Sequence, residues 1–237
     1  MYAMFKINAL KKSFTTYTKE LSILTSCSFS LEKGKTYGLI GRSGSGKSTL
    51  MHLLAGFDRP TSGTIMFNGC RIHEIESRQR AQQITFVPQH PLFIKELTVF
   101  ENVALAAHIV GMEQQKIHDN TTYFLKILGL DGYQDAMVGE LSGGQQQRLA
   151  VARALVVEPA CLLADEPTGS LDDVTGLQLI ELLLQCVKLW NMTLLLSTHN
   201  ETIAHKMEVV FLLKDGIIEP TENNVQSKDF SYEHGTR

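Results

Sequence analysis

Three short stretches of the chain combine residue types and spacings that can do chemistry. Gly41-Arg42-Ser43-Gly44-Ser45-Gly46-Lys47-Ser48 fits the pattern G-x-x-x-x-G-K-[ST]. Its glycines let the backbone close in and aim successive N–H groups at phosphate oxygens. Lys47 adds a mobile positive charge for β- and γ-phosphates, and the Ser48 hydroxyl can hold Mg²⁺. With glycine near its usual 7%, chance places this pattern in about one chain in a hundred of this size. The second stretch is Asp165-Glu166, directly after the apolar run Cys161-Leu162-Leu163-Ala164. Asp165 is placed to hold a metal, directly or through its water, and Glu166 to polarise a water in line with a γ-phosphate. Two acids after a buried strand can also be a solvated loop, and it is the phosphate loop that gives this pair something to act on. The third stretch is Leu141-Ser142-Gly143-Gly144-Gln145. Ser142 and Gln145 match a Ser-x-x-Gln capping box, which by itself only starts a helix. The two glycines bare the backbone N–H groups at that helix start and so make a second phosphate-binding surface. One chain then carries two half-sites for a nucleoside triphosphate. A two-fold dimer would lay one chain's second half-site over its partner's loop.

Elements of two kinds must position these groups. In the first third, Phe5, Ile7 and Ala9 alternate with polar neighbours, as do Cys27, Phe29 and Leu31, and Thr64–Phe67 runs into the turn dipeptide Asn68-Gly69. Thr36–Ile40 reads as a buried strand feeding the glycine loop, and Leu50, Leu53 and Leu54 mark one face of the helix that follows it. From 92 to 140 the period changes to helical, with a Thr98-x-x-Glu101 capping box and a pattern through Phe124, Leu125, Ile127 and Leu128. Strands at 161–164 and 193–196 alternate with a helix over Leu177–Leu189, and Val209–Leu213 with Ile217-Ile218 flank a Lys214-Asp215-Gly216 hairpin. Strands separated by helices predict a mainly parallel sheet. Residues 221–237 are polar and unpatterned, a tail.

The composition fits that plan. The chain has 237 residues, 43% hydrophobic and 20% charged, with a net charge of −3. Such a balance excludes wholesale disorder and predicts no nucleic-acid coat. No apolar run is long enough to cross a bilayer, and the N-terminus lacks the apolar core of a signal peptide. The four cysteines stand singly, without Cys-x-x-Cys pairs, and no His-Glu-x-x-His occurs. Reduced, mostly buried thiols are expected.

Taken in order, the motifs resemble those of the nucleotide-binding subunit of an ABC transporter: the loop at 41–48, Gln89 after a strand, Leu-Ser-Gly-Gly-Gln at 141–145, Asp165-Glu166, Ser170-Leu171-Asp172 and His199. The resemblance spans about residues 5–218. It implies an α/β fold, a P-loop NTPase (RecA-like) parallel-sheet core with an N-terminal antiparallel β subdomain and an inserted α-helical subdomain at about 90–145, all within one ATP-binding domain over 1–220. It implies an ATP hydrolase with ATP and Mg²⁺ as cofactors. On this resemblance Gly41, Arg42, Ser43, Gly44, Ser45, Gly46, Lys47, Ser48 and Thr49 bind the nucleotide, and Ser48, Gln89 and Asp165 face the metal. Glu166 is the catalytic base, Gln89 senses the ion and the attacking water, and His199 hydrogen-bonds the γ-phosphate. Ser142, Gly143, Gly144 and Gln145 meet the nucleotide on the opposite subunit, and Asp172 crosses the dimer interface. An aromatic ring stacks on adenine; Phe14 fits by position and Tyr17 is the more usual type.

The run Leu163–Asp172 resembles the branch that serves lipoprotein release, macrolide export and cell division, with Ser170 and Pro88 departing from its commoner asparagine and aromatic. The implied partners are a second copy and integral membrane permease subunits, with no direct nucleic acid and no direct contact with the cargo. The implied place is the cytoplasmic face of the inner membrane, peripherally bound. Lipoprotein release is the leading function; export of a macrolide or antimicrobial peptide, and a non-transport ABC ATPase acting on nucleic acid, are the alternatives. A small GTPase would need Asn-Lys-x-Asp, which is absent. Phe93, Ile94 and Leu97, just after Gln89, are divided between a permease-facing groove and local core.

Overall fold

The computed structural model describes residues 3–15 and 20–221. Tyr17 and the tail beyond Thr221 lie outside the described residues. Two long strands, β1 (Ala3–Thr15) and β2 (Glu20–Glu32), lead to β3 (Thr36–Ile40), the glycine loop and α1 (Lys47–Leu54). A hairpin follows, β4 (Ser62–Phe67) and β5 (Cys70–Arg71), then α2 (Ser77–Gln83) and β6 (Ile84–Val87). The helical stretch comprises α3 (Val99–Val110), α4 (Gln114–Ile127) and α5 (Gly143–Leu155). The chain closes with β7 (Cys161–Asp165), α6 (Asp173–Trp190), β8 (Thr193–Ser197), α7 (Glu201–Ala204), β9 (Val209–Lys214) and β10 (Ile217–Thr221).

Two sheets result. One is antiparallel, in the order β2-β1-β4-β5; the other runs β10-β9-β3-β8-β7-β6, parallel except for the β9–β10 hairpin. The continuous apolar runs in β7 and β8 are explained by the two cores that this second sheet separates. Side chains alternate between faces along a strand. Leu162, Ala164, Leu194 and Leu196 therefore join a core with α3–α6, whereas Cys161, Leu163 and Leu195 join one with α1 and the antiparallel sheet. A strand covered on both faces has no polar side to show.

The alternation read in β1 breaks at Ala9. The buried set is Met4, Phe5, Ile7, Leu10 and Lys12, and Ala9 is exposed with φ 44°. A bulge there shifts the register against β2 between Ile7 and Leu10 and against β4 between Asn8 and Lys11. One extra residue swaps the faces of everything after it. The helix read over 177–189 starts four residues earlier, because Asp172 caps it by accepting from the Thr175 N–H at 3.0 Å. The Thr98–Glu101 box caps α3 from both sides, Glu101 N–H to Thr98 Oγ1 at 3.2 Å and Thr98 N–H to Glu101 Oε2 at 2.8 Å. No helix among the described residues is long and apolar enough to cross a membrane.

Candidate nucleotide-hydrolysis site

The loop after β3 has no room for a side chain at two of its glycines. Gly46 precedes α1 with φ 103°, a region that L side chains rarely adopt, and a Cβ there would stand 2.7 Å from the Ile23 side chain. A Cβ on Gly41 would meet the Leu213 carbonyl at 2.5 Å and Ser45 Oγ at 2.7 Å. Ser45 Oγ is buried without a hydrogen-bond partner. A buried unpaired hydroxyl costs about 1–3 kcal/mol, so this loop is built to receive a polar ligand. Lys47 is buried and folds back on its own loop, donating to the Gly41 carbonyl at 2.9 Å and the Arg42 carbonyl at 3.3 Å.

The acids sit at the carboxyl end of the sheet. β6, β7 and β8 are neighbours, so Gln89 after β6, Asp165-Glu166 at the end of β7 and His199 after β8 emerge side by side. Gln89 Nε2 donates to Glu166 Oε2 at 3.0 Å, and His199 Nδ1 stands 3.4 Å from the same oxygen. Asp165 is buried and accepts from the Ser197 hydroxyl. Glu166 takes φ 46°, a left-handed conformation that disfavours an L residue by roughly 1–2 kcal/mol.

The donor set suits a hard divalent cation. Ser48 and Asp165 offer oxygens, and the Gln89 amide oxygen remains available while its nitrogen serves Glu166. No group of three His, Cys, Asp or Glu residues able to hold a metal exists among the described residues. Mg²⁺ asks for no such cage, since it keeps waters and takes one or two protein oxygens together with phosphates.

The second half-site stands apart from the first. Ser142 accepts from the Gln145 N–H at 3.3 Å, and Gln145 Oε1 accepts from the Ser142 N–H at 2.8 Å, so the capping box forms in full. A Cβ on Gly144 would meet Leu171 at 3.0 Å, while one on Gly143 would meet nothing within 4 Å. That helix start thus leans on the loop before α6 and leaves Gly143 open. Among the described residues no hydrogen bond joins 142–145 to 41–48. Asp172 has a local task as the cap of α6, and its bonds from the side chain and backbone of Thr175 hold its carboxyl below the ordinary carboxylate range.

Residues 24–169 match the family described as ABC transporter. The chain belongs to the ABC transporter family. Among its relatives, the lipoprotein-releasing system ATP-binding protein LolD of Legionella pneumophila (strain Lens) is 39% identical over 211 residues, 87% of this chain and 93% of that protein. LolD of Coxiella burnetii is 38% identical over 87% of this chain and 91% of that protein. A dimeric ATP-binding cassette solved in a post-hydrolysis state with ADP and Pi superposes with a TM-score of 0.87 at 29% identity, over 93% of this chain and 99% of that one. This ABC subunit is an ATP-binding and ATP-hydrolysing protein with the cassette fold of a parallel-sheet core and an antiparallel β subdomain.

Two features of this ABC ATPase escaped the sequence reading, and a third settles an alternative it left open. Ser197 bridges the two acids. Arg153, in the last turn of α5, donates to the Leu92 carbonyl at 2.7 Å and lies over the Phe93 ring, 4.7 Å from its centroid. Phe93 consequently packs against the core, and the apolar surface after Gln89 is made instead by Leu92, 84% exposed, and Ile94, 44% exposed. Only the polarity of Ser197 within an apolar strand and an Arg set among the small apolar residues of the last turns of α5 hinted at the first two. Phe14 is 42% exposed, opposite Leu21, with Lys12 Nζ 4.7 Å from its ring centroid.

Proposed function

We propose that this ABC ATPase works as a homodimer, binds ATP with Mg²⁺ between its two copies, and drives an integral membrane permease of the lipoprotein-releasing type. The observation that carries the chemical part is the convergence of Gln89 and His199 on one oxygen of Glu166, at the strand ends beside the phosphate loop. Lys47 exchanges its two loop carbonyls for the β- and γ-phosphates, an exchange of neutral for charge-assisted bonds. The N–H groups of 41–49 hold the remaining phosphate oxygens. Ser48, Asp165 and Gln89 hold the ion, which when bound neutralises phosphate charge and polarises the transferring group. Glu166 accepts the proton of the attacking water, Gln89 orients that water, and His199 donates to the γ-phosphate. Ser142, Gly143, Gly144 and Gln145 of the second copy close the site, with Asp172 at the interface. The dimeric state of the superposable cassette and the open face at Gly143 support this arrangement. Phe14 stacks on adenine; Ile23 of the same hairpin already borders Gly46.

The transport part rests on the relatives, several of which are lipoprotein-releasing ATP-binding proteins. The subunit is held at the cytoplasmic face of the inner membrane by its permease, and touches neither cargo nor nucleic acid. Leu92 and Ile94 supply the apolar contact, adjoining the loop of Gln89. The test is co-purification in detergent with a co-expressed permease of the lipoprotein-releasing type, followed by release of a triacylated protein from proteoliposomes on addition of ATP. Ile94→Glu should leave the ATPase of the isolated subunit near wild type and abolish association and release. Association without any ATP-dependent release of acylated protein would reject the lipoprotein assignment while leaving the permease partner standing.

A further inference from the structure

Ser197 touches the side chain of Asp165 and the backbone of Glu166. β7 and β8 are parallel neighbours, and the pair Asp165–Ser197 ends their register. Cross-strand partners send their side chains to the same face of a sheet. Ser197 is 0% exposed and Asp165 4%. The single hydroxyl proton goes to Asp165 Oδ1, with the oxygens 2.5 Å apart. A lone pair of the same hydroxyl accepts the Glu166 N–H at 3.0 Å, and that N–H also reaches the Ser197 carbonyl at 3.2 Å. Glu166 thus enters its left-handed conformation with its amide gripped by two oxygens of one residue. The turn continues into Gly169, whose N–H returns to the Glu166 carbonyl at 3.1 Å.

We propose that Ser197 is a positioning residue for hydrolysis: one hydroxyl fixes the carboxylate of Asp165 and, through the amide of Glu166, the backbone turn that aims the Glu166 side chain at Gln89 and His199. The inference rests on the reading of Asp165 as the metal-holding acid and Glu166 as the base. A serine that only filled a buried strand position would be replaceable by any side chain of equal volume. One that positions the acids would be replaceable only by another hydroxyl.

The experiment compares Ser197→Thr with Ser197→Val in the full chain, since these side chains differ in little but the hydroxyl. Two quantities are read: the Kd for Mn²⁺ in the presence of a non-hydrolysable ATP analogue, by electron paramagnetic resonance, and steady-state kcat with KM for ATP. Loss of a residue that orients a metal ligand typically costs 10–100-fold in affinity or activity. Ser197→Val should weaken Mn²⁺ binding and lower kcat about 10-fold or more, and KM for the metal–nucleotide should rise with the Mn²⁺ Kd while affinity for metal-free nucleotide, set by 41–49, changes little. Ser197→Thr should restore both to within about threefold of wild type. Equal Kd and kcat for the two variants, with only thermal stability altered, overturns the proposal. Should the valine variant fail to fold, Ser197→Ala, which removes the hydroxyl alone, takes its place under the same criteria. Asp165→Asn is measured alongside. If it lowers Mn²⁺ affinity and kcat while valine and threonine behave alike, the Ser197 proposal alone is rejected. If it changes neither, the assignment of Asp165 is rejected with it.

Discussion

Gln89 and Glu166 are 77 residues apart in the chain and share a hydrogen bond of 3.0 Å. The bond exists because β6 pairs with β7 in parallel, Val87 opposite Ala164, so that the residues following each strand leave the sheet together. Glu166→Gln retains the shape of the side chain and removes its capacity to take a proton. Turnover should fall about 10²–10⁴-fold. Nucleotide binding should persist, so that ATP and Mg²⁺ shift the variant to a dimer on size exclusion. A variant that binds ATP and stays monomeric would refute the two-copy site.

Lys47→Ala should weaken ATP binding and abolish hydrolysis, as a charge meeting the phosphates is lost. Calorimetry giving wild-type affinity would contradict its assigned role. Because Lys47 also ties two loop carbonyls, the variant is compared with Lys47→Arg, which keeps a cation and donors but not the compact ammonium.

Ser142 caps α5 and, on the proposed function, also meets the opposite copy's nucleotide, and a single substitution separates the two. Aspartate is as good a helix N-cap as serine, whereas alanine costs about 1 kcal/mol. Ser142→Asp should therefore keep the thermal midpoint within about 1 °C, and Ser142→Ala should lower it by roughly 2–4 °C for a chain of this size. A carboxylate facing the opposite copy's γ-phosphate repels it, so Ser142→Asp should lose ATP-driven dimerisation and ATPase. An Ser142→Asp protein with normal ATPase would reduce the residue to a cap.

The thiols offer a test of packing. Burial pushes the Cys27 and Cys186 thiols up to about 11, and that of fully enclosed Cys161 higher still, while Cys70 is exposed. Only thiolates react with an aromatic disulfide reagent. The native protein at neutral pH should titrate one fast equivalent, lost in Cys70→Ser, and the remaining three only on denaturation. Two fast equivalents would contradict the buried placement of the others.

Lys12 and Asp58 tie β1 to the segment after α1, Nζ to Oδ2 at 2.8 Å. The Lys12 bond holds the Asp58 carboxyl below its ordinary value of 3.8. A depressed folded pKa gives stability that is present above the unfolded value and lost as pH falls through the folded one. The difference in urea midpoint between wild type and Asp58→Asn should be largest above pH 5 and shrink toward zero as the pH falls below that of the free carboxyl. A difference independent of pH would assign it to packing.

The local features were readable where one stretch of sequence decides its own shape. Thr36–Ile40 is the strand expected, and both the Thr98–Glu101 and the Ser142–Gln145 boxes form. Helix α2 was not readable, because none of its residues is buried and no apolar period betrays it; Glu76 alone caps it, accepting from the Gln79 N–H. The bulge at Ala9 was hidden because alanine serves either face. In the site, the identities of Gln89, Glu166 and His199 came from motif order, but their meeting on one oxygen depends on strand order, which no local pattern carries. Ser197 and Arg153 act through a hydroxyl and a guanidinium whose partners lie 32 and 61 residues away.

The bond from Arg153 to the Leu92 carbonyl turns α5 into a lever. It fastens the chain just past Gln89 to one end of a helix whose other end carries Ser142. The helix of 13 residues is roughly 20 Å long. Pivoting it by about 10° at Arg153 sweeps its Ser142 end through about 3 Å, the reach of one hydrogen bond. On the proposed two-copy site, a tilt of that size at the Gln89 loop would be the difference between touching and missing an anion on the neighbouring copy.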